Sequence, residues 1–484
     1  MPIDTNIELL INCRTKIVAT LGPSSNDIGT IEGLIDAGAD VFRLNMSHGT
    51  LEDHAAVYRH IRSAAQKLQK PVAVLADLCG PKIRVGAFKG GRVELAKGSI
   101  VTVTCRDVEG FAGLIPSQYR ALCSDVKADD RILLDDGNFE LQVESVDGTE
   151  IACRVVTGGL LRDHKGMNLP GVHVSTPSLT EKDRKDALFA VKLGVDFLAL
   201  SFVRRGSDVE GLRALISRAG AHVAIIAKIE KPEALDHIAE IIAAADGIMV
   251  ARGDLGVELP PQSVPNAQDQ LIDLARRNRK PVIVATQMLE SMIEHPRPTR
   301  AEVSDVATAV RSGADAVMLS AESASGKYPV EAVKMMDGIA RQTEAYLWRR
   351  GAFGSLARHY DIPRPLPVED ALSESMSGLS RDLLVRAIVA ISLNDHALAV
   401  MSSSRPAAPI VGICPDYRAS CIANLLWGVI PVTVDLAGID SPVELARRTV
   451  LTHGLADKGQ SILLVRGFHS DPRLNTPSVT AITV

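Results

Sequence analysis

Eight apolar, strand-like runs recur along this chain, and polar residues stand repeatedly at their C-terminal ends. The runs are KIVATLG (from Lys16), VFRLNMS (Val41), VAVLADL (Val72), FLALSFV (Phe197), VAIIAKIE (Val223), GIMVARGDL (Gly247), PVIVATQM (Pro281) and AVMLSAE (Ala316). Helical patterns separate most of them, which predicts parallel strands and crossover helices closed into a (β/α)8 TIM barrel. In such a barrel the C-terminal strand ends converge on one mouth, where reacting groups lie. That mouth would collect Arg43, Asn45, Ser47, Asp77, Lys228, Glu230, Arg252, Asp254, Thr286 and Glu322. Cations, carboxylates and hydroxyls in one place point to metal-assisted chemistry on an anionic substrate.

The gap between the runs at Val72 and Phe197 is too long for a structureless loop and must hold an inserted domain. From Gly86 the pattern changes to short alternating runs, RVEL, IVTVTC, RILLDDG, FELQVESV and IACRVV, separated by Gly and Asp turns. This predicts a small antiparallel β-barrel over 86–171, with the TIM barrel occupying 1–85 and 172–346. Helical spacing resumes at Thr180, where Thr180 and Asp183 form a capping-box signal, and Pro232 opens the first turn of a later helix. Three helices end in one phrase before a strand: Gly38-Ala39-Asp40, Gly194-Val195-Asp196 and Gly313-Ala314-Asp315. A glycine there permits the left-handed turn that stops a helix. The proline-bearing stretch 347–369 reads as a linker. Strands AIVAIS, PIVGIC, VIPVTV, SILLVR and VTAITV then make 370–484 a C-terminal α/β domain.

At 484 residues the chain suits two or three domains. With 53 basic against 58 acidic residues it carries no basic field of nucleic-acid size, and 4% aromatics argue against a base-stacking platform. The longest N-terminal apolar stretch, Leu9-Leu10-Ile11, is neither a signal peptide nor a membrane span. Seven cysteines without a CxxC pair read as reduced thiols of a cytoplasmic protein.

No Walker P-loop and no GxGxxG is present, so a nucleotide would be held by other means. Lys228-Ile229-Glu230 is the sharpest local feature, because strand alternation turns Lys228 and Glu230 to the same side, into the barrel. Two charges there are unfavourable unless they serve a ligand or pair with each other. Asp254 ends the next strand, in Arg252-Gly253-Asp254-Leu255-Gly256; taken alone it reads as a helix N-cap. Two carboxylates on adjacent strands, with water and substrate oxygens completing the shell, suit magnesium.

Together these phrases resemble the pyruvate kinase family over essentially the whole chain. The resemblance runs through Thr15–Ser25 (TKIVATLGPSS), Arg43–Gly49 (RLNMSHG), Gly80–Arg84 (GPKIR), Lys228–Glu230 and Met249–Glu258 (MVARGDLGVE). It continues in Ala285–Met292 (ATQMLESM) and Pro298–Glu302 (PTRAE). It implies a barrel interrupted after its third strand by a lid, a C-terminal α/β domain, a homotetramer, and phosphoryl transfer from phosphoenolpyruvate to ADP. Glu230 and Asp254 would hold Mg2+, or Mn2+ in its place. Lys228 would neutralise the moving phosphoryl group, Arg43 and Arg84 would steady phosphates, and Thr286 would lie beside the enolate carbon. Ser320 and Glu322 would join the proton network. His48, Arg205 and Gly253, with Asn45 and Asp254, would line the substrate and nucleotide sites. Metal-dependent aldolases and lyases of pyruvate-like substrates share the barrel and an enolate but need neither the lid nor the lysine beside the metal. A metabolite-sensing pseudoenzyme would have lost Lys228, Glu230, Asp254 or Thr286, and all four are present.

Three departures from the family pattern matter. Many members read Asp-Thr-Lys-Gly-Pro-Glu and need potassium; this chain reads Asp77-Leu78-Cys79-Gly80-Pro81-Lys82. It resembles the potassium-independent branch, with Lys82 as cation substitute and Asn45, Ser47 and Asp77 as remnants of the ion's site. Asp77, otherwise uncompensated, would find its partner in that lysine. Ala321-Glu322-Ser323-Ala324 replaces the usual Gly-Glu-Thr-Ala, a conservative change. The loop Ser392-Leu393-Asn394-Asp395-His396-Ala397 lacks the glycine and most hydroxyls of the family's phosphate cradle, so activation by a sugar bisphosphate is not expected.

Overall fold

The computed structural model describes residues 10–484 except 12, 357–364, 392–394, 436–440, 470, 472 and 474. Of the effector loop, Ser392–Asn394 therefore lie outside the described residues. Eight parallel strands close into a barrel: β1 (Lys16–Leu21), β2 (Val41–Asn45), β3 (Ala73–Asp77), β4 (Phe197–Leu200), β5 (Ala224–Ile229), β6 (Gly247–Ala251), β7 (Val282–Ala285) and β8 (Ala316–Leu319). Each pairs with its neighbour in sequence and β8 returns to β1. The strands are covered on both faces, which is why they read as unbroken apolar runs.

The recurring glycine–aspartate phrase has a structural cause. Gly38, Gly194 and Gly313 take φ of +116°, +93° and +85°, the left-handed turn that ends each helix. The aspartate two residues on then accepts the first free N–H of the preceding strand. Asp40 takes that of Ile17 (2.9 Å), Asp196 that of Val74 (2.7 Å) and Asp315 that of Val282 (3.1 Å). A fourth, Asp246, does the same for Ile225 at 2.8 Å without the glycine. One aspartate thus precedes each even-numbered strand and clamps the odd-numbered strand before it. Each also meets a cation: Lys16 (3.3 Å), Arg62 (2.7 Å), Arg213 (2.9 Å) and Arg405 (3.0 Å) respectively.

Between β3 and β4 the inserted lid builds its own core on Val85, Phe88, Val101, Ile132, Leu141 and Ile151. Its strands form a six-stranded sheet with a separate two-stranded ribbon, Arg92–Leu95 against Gly159–Arg162. The sheet is antiparallel apart from the pair Ile100–Thr104 and Leu114–Pro116. The lid also corrects the reading of seven reduced thiols. Cys105 and Cys123 form a disulfide with Cα atoms 6.7 Å apart, and five cysteines are free. The chain folds the end of one strand against the short helix Leu122–Asp125, a contact that no CxxC spacing announces.

The Thr180–Asp183 capping box forms. Pro232 starts a helix, but that helix breaks at His237 into Pro232–Asp236 and Ile238–Ala244. In the C-terminal domain β9 (Ile388–Ile391), β10 (Ile410–Cys414), β11 (Val429–Thr433), β12 (Ser461–Arg466) and β13 (Ser478–Thr483) form one sheet in the order β11-β10-β9-β12-β13. Its last pair is antiparallel. This domain plugs the barrel's N-terminal end: Cys421 and Leu425 pack with Val18, Leu75, Phe197 and Ile283. Asn424 donates to the carbonyls of Asp40 and Pro71, and Lys16 to that of Val429 at 2.8 Å. Among the described residues no helix is long and apolar enough to cross a membrane.

Candidate active site at the barrel mouth

Strand β5 presents Lys228, with Glu230 just beyond its end, and the alternation turns both inward. The Lys228 ammonium lies 2.9 Å from Glu230 Oε1 and 3.3 Å from Asp77 Oδ1, and donates to Ser201 Oγ at 2.7 Å. The Ser201 hydroxyl in turn donates to the carbonyl of Leu78 at 2.7 Å. From β2, Arg43 Nε donates to Asp77 Oδ2 at 2.6 Å and Nη1 to Thr20 Oγ1 at 3.1 Å. Glu230 Oε2 accepts from Phe202 N at 2.8 Å.

These contacts set the protonation states. Burial alone would raise the Asp77 carboxyl, but Lys228 and Arg43 outweigh it and hold the group below its ordinary value. Burial opposes the Lys228 charge, yet Asp77 and Glu230 push its pKa above the ordinary lysine range. For Glu230 burial wins: its pKa is raised despite Lys228, and Asp254 adds to the rise. Asp77 is therefore already compensated by Arg43 and Lys228, which corrects the expectation that it needs Lys82.

A cavity of about 130 Å³ gathers Arg43, Asn45, Ser47, His48, Asp77, Lys82, Arg84, Lys228, Glu230 and Asp254. Lys82 and His48 stand exposed on its rim, and Arg84 also donates to the carbonyl of His164 in the lid. Asp254 occupies the first turn of the helix Arg252–Glu258; among the described residues no hydrogen bond or ion pair engages its carboxylate.

Thr286 follows β7 with φ +69°, an unfavourable conformation for a β-branched residue. Its hydroxyl accepts from Gly253 N at 2.7 Å and donates to Ala285 O at 2.6 Å. A Cβ on Gly253 would sit 3.3 Å from that hydroxyl, so the glycine permits the close approach. Arg252, expected among the mouth cations, turns away instead. It is nearly buried, pairs with Asp305 at 2.7 Å and donates to Thr286 O at 2.6 Å, holding the strained turn from behind. Glu322 is fully buried and accepts from Leu289 N (3.1 Å) and Ser320 N (2.7 Å), tying together the loops after β7 and β8. Arg205 is exposed at the start of the helix Gly206–Arg218, and its neighbour Arg204 donates to the carbonyl of Thr176 at 2.8 Å.

Sequence reading passed over Ser201, which holds Lys228, although it stands at the end of FLALSFV as plainly as the chosen residues stand on theirs. It also passed over Lys231, Glu258 and Asn168. Lys231 pairs with Glu258, and Asn168 of the lid donates to Glu258 Oε1 at 3.2 Å, linking lid to mouth. Only the folded lid brings Asn168 there.

The family described as "Pyruvate kinase, barrel domain" matches residues 12–333, and "Pyruvate kinase, alpha/beta domain" matches residues 370–480. The chain belongs to the pyruvate kinase family. A pyruvate kinase of Agrobacterium vitis is 43% identical over 94% of this chain and 95% of its own length. One of Geobacillus stearothermophilus is 42% identical over 94% of this chain and 77% of its own length. The crystal structure of a pyruvate kinase from Cryptosporidium parvum superposes with a TM-score of 0.91 at 33% identity, covering 98% of both chains. The chain is accordingly a phosphotransferase of glycolysis with phosphoenolpyruvate and ADP as substrates, in a family that requires a divalent metal. The mouth fits such an ion. Among the described residues no group of three His, Cys, Asp or Glu side chains is placed to hold a metal ion by itself. Glu230 and the unengaged Asp254 instead offer a two-carboxylate site whose remaining ligands would be oxygens of substrate and water.

Proposed function

We propose that the mouth moves the phosphoryl group of phosphoenolpyruvate to ADP, giving pyruvate and ATP, with Lys228 as the cation on the moving group. The observation that carries this is the Lys228 ammonium, fixed by Asp77, Glu230 and Ser201 and facing a cavity that also holds the unengaged Asp254 carboxylate. Phosphoryl transfer demands positioning and charge neutralisation more than a nucleophile, so a preorganised cation is the group to expect. Glu230 and Asp254 would hold magnesium, or manganese in its place. When bound, that ion supplies positive charge at the substrate's phosphate and enol oxygens. Arg43 and Arg84 steady phosphate oxygens, and His48, Asn45 and Gly253 border the nucleotide. Thr286 stands beside the enolate carbon, and Ser320, anchored through Glu322, belongs to the route of the proton. Arg205, exposed at the start of the helix Gly206–Arg218, is read as a further cation for the nucleotide phosphates.

Potassium is not required in this proposal. Lys82 brings its charge to the rim where Asn45, Ser47 and Asp77 would otherwise surround the ion, acting on the substrate's anionic groups and not on Asp77. The enzyme is read as a cytoplasmic homotetramer by family resemblance. A coupled assay in tetramethylammonium buffer with phosphoenolpyruvate, ADP and magnesium should give full turnover. Lys82→Glu should lower it and let potassium restore part. A parent inactive until potassium is added would remove Lys82 from the role of cation substitute, and no pyruvate under either condition would sink the whole reading.

A further inference from the structure

At the opposite end of the barrel, a cavity of about 580 Å³ lies between the barrel floor and the C-terminal domain. Its size falls within the range of small-molecule sites, about 300–1,000 Å³. Phe197, Ala224 and Pro281 of the barrel and Ile422 and Leu426 of the C-terminal domain give it apolar walls. Three cations line it: Arg279, which is paired with Glu369 and Asp370, Lys280, also from the barrel, and Arg418 from the C-terminal domain. Among the described residues no hydrogen bond or ion pair engages the Lys280 ammonium. Burial lowers its pKa, and Arg213 adds to this against Asp246, which is paired with Arg213 and not with Lys280. Arg418 gives one bond, to the carbonyl of His222 at 2.5 Å.

The acids nearby are already committed. Asp246 is taken up by Ile225 N and Arg213, and Glu369 by Arg279 and His396. The cavity therefore presents a positive charge excess over an apolar surface.

We propose that this cavity binds a small organic anion with a compact apolar body, its phosphate or carboxylate meeting Lys280 and Arg418. The occupant touches both domains at the starts of the strands that end in the mouth residues. Phe197 begins β4, which leads to Ser201. Ala224 begins β5, which carries Lys228. Asp246 precedes β6, which leads to Asp254, and Pro281 precedes β7, which leads to Thr286. An occupant that fixes the C-terminal domain against those four strands shifts the KM for phosphoenolpyruvate. That consequence rests on the proposed reaction, whereas the binding does not.

Calorimetry on the full chain tests the site, with phosphoenolpyruvate and magnesium present to fill the mouth and ADP absent. 1-Naphthyl phosphate or 1-naphthoate should bind, and the tighter of the two identifies the anionic group. Lys280→Gln and Arg418→Gln should each weaken it about tenfold or more, the loss expected for a charge-assisted contact. Lys280→Arg should restore most of the affinity. Absence of binding, equal binding of 1-naphthol or of inorganic phosphate, or affinity unchanged in both Gln variants would overturn the proposal. In the coupled assay the same compound should shift the parent's KM and leave that of Lys280→Gln unmoved; an unshifted parent overturns the coupling. A chain that binds the naphthyl anion yet transfers no phosphoryl group would overturn the reading of the mouth and not that of this cavity.

Discussion

At the barrel floor, Asp40, Asp196, Asp246 and Asp315 each take one strand N–H and one cation. At the mouth, Asp77 meets Arg43 and Lys228, Glu230 meets Lys228, and no barrel-strand amide engages the side chains of Asp77, Glu230 or Asp254; Glu230 takes a backbone N–H, from Phe202 just past β4. The residue types are the same and the use is different. A carboxylate that accepts from a strand amide and a cation together ties that strand in place. At the mouth Asp254 is left unengaged, and Thr286 is kept in a strained conformation. The contrast matches the division of a TIM barrel into a face that carries chemistry and a face that carries stability.

The largest expected effect tests that division from the mouth side. Lys228→Met should lower kcat about 10²–10³-fold, the scale of removing one preorganised electrostatic group from a reaction centre. Asp77 keeps Arg43 as a partner, so the fold should tolerate the change. A coupled assay and a thermal scan on one preparation check both halves. Near-parent turnover, or a collapse of the unfolding midpoint, would erase the contrast.

The second effect comes from the floor. Arg405 is 1% exposed, stacks over Trp427 at 5.0 Å and pairs with Asp315 at 3.0 Å. Asp315→Ala strips Arg405 of this partner and Val282 N of its acceptor, a loss on the order of 3–5 kcal/mol. The chain has three domains and is not expected to unfold in one step, so the observable is the urea midpoint of the first transition. That midpoint should fall clearly while the magnesium titration of activity stays in place. A floor variant that instead shifts the magnesium titration would give the floor a direct part in the chemistry.

Most of the mouth was legible because strand periodicity tells which residues end a strand and which way they point. KIVATLG through AVMLSAE mark eight strand ends, and Lys228 and Glu230 follow from alternation alone. Three things were hidden. The partner of a mouth charge depends on which strands are neighbours and how far side chains reach, so Asp77 was assigned to Lys82 when Arg43 and Lys228 already flank it. Contacts between domains, such as Asn168 on Glu258 or Arg405 on Asp315, join residues with no shared local pattern. The Gly-x-Asp phrase was visible three times, but only the helix-stopping glycine was read from it. The aspartate's role needs the neighbouring strand, and Asp246, which lacks the glycine, escaped that pattern.

The smallest effect concerns acid stability and separates the two ends by the sign of one linkage. Asp77 has a folded pKa below its ordinary value of 3.8, with burial opposing and Lys228 and Arg43 prevailing. Its ionisation therefore adds stability above pH 3.8, and the gain is lost as pH falls through the lower folded value. Asp196 is raised from 3.8, because burial outweighs Arg62 and the Val74 amide. Its folded form holds the proton longer than the unfolded form, so stability falls as pH rises from 3.8 through the higher folded value. Urea midpoints in metal-free, potassium-free buffer across this range should show the difference. The deficit of Asp77→Asn against the parent should shrink as pH drops below 3.8. That of Asp196→Asn should be full at and below pH 3.8 and shrink as pH rises above it. The two deficits thus move in opposite directions over adjoining windows. Parallel profiles would mean that mouth and floor carboxylates sit in equivalent electrostatic surroundings, and the contrast between the two ends would then rest on geometry alone.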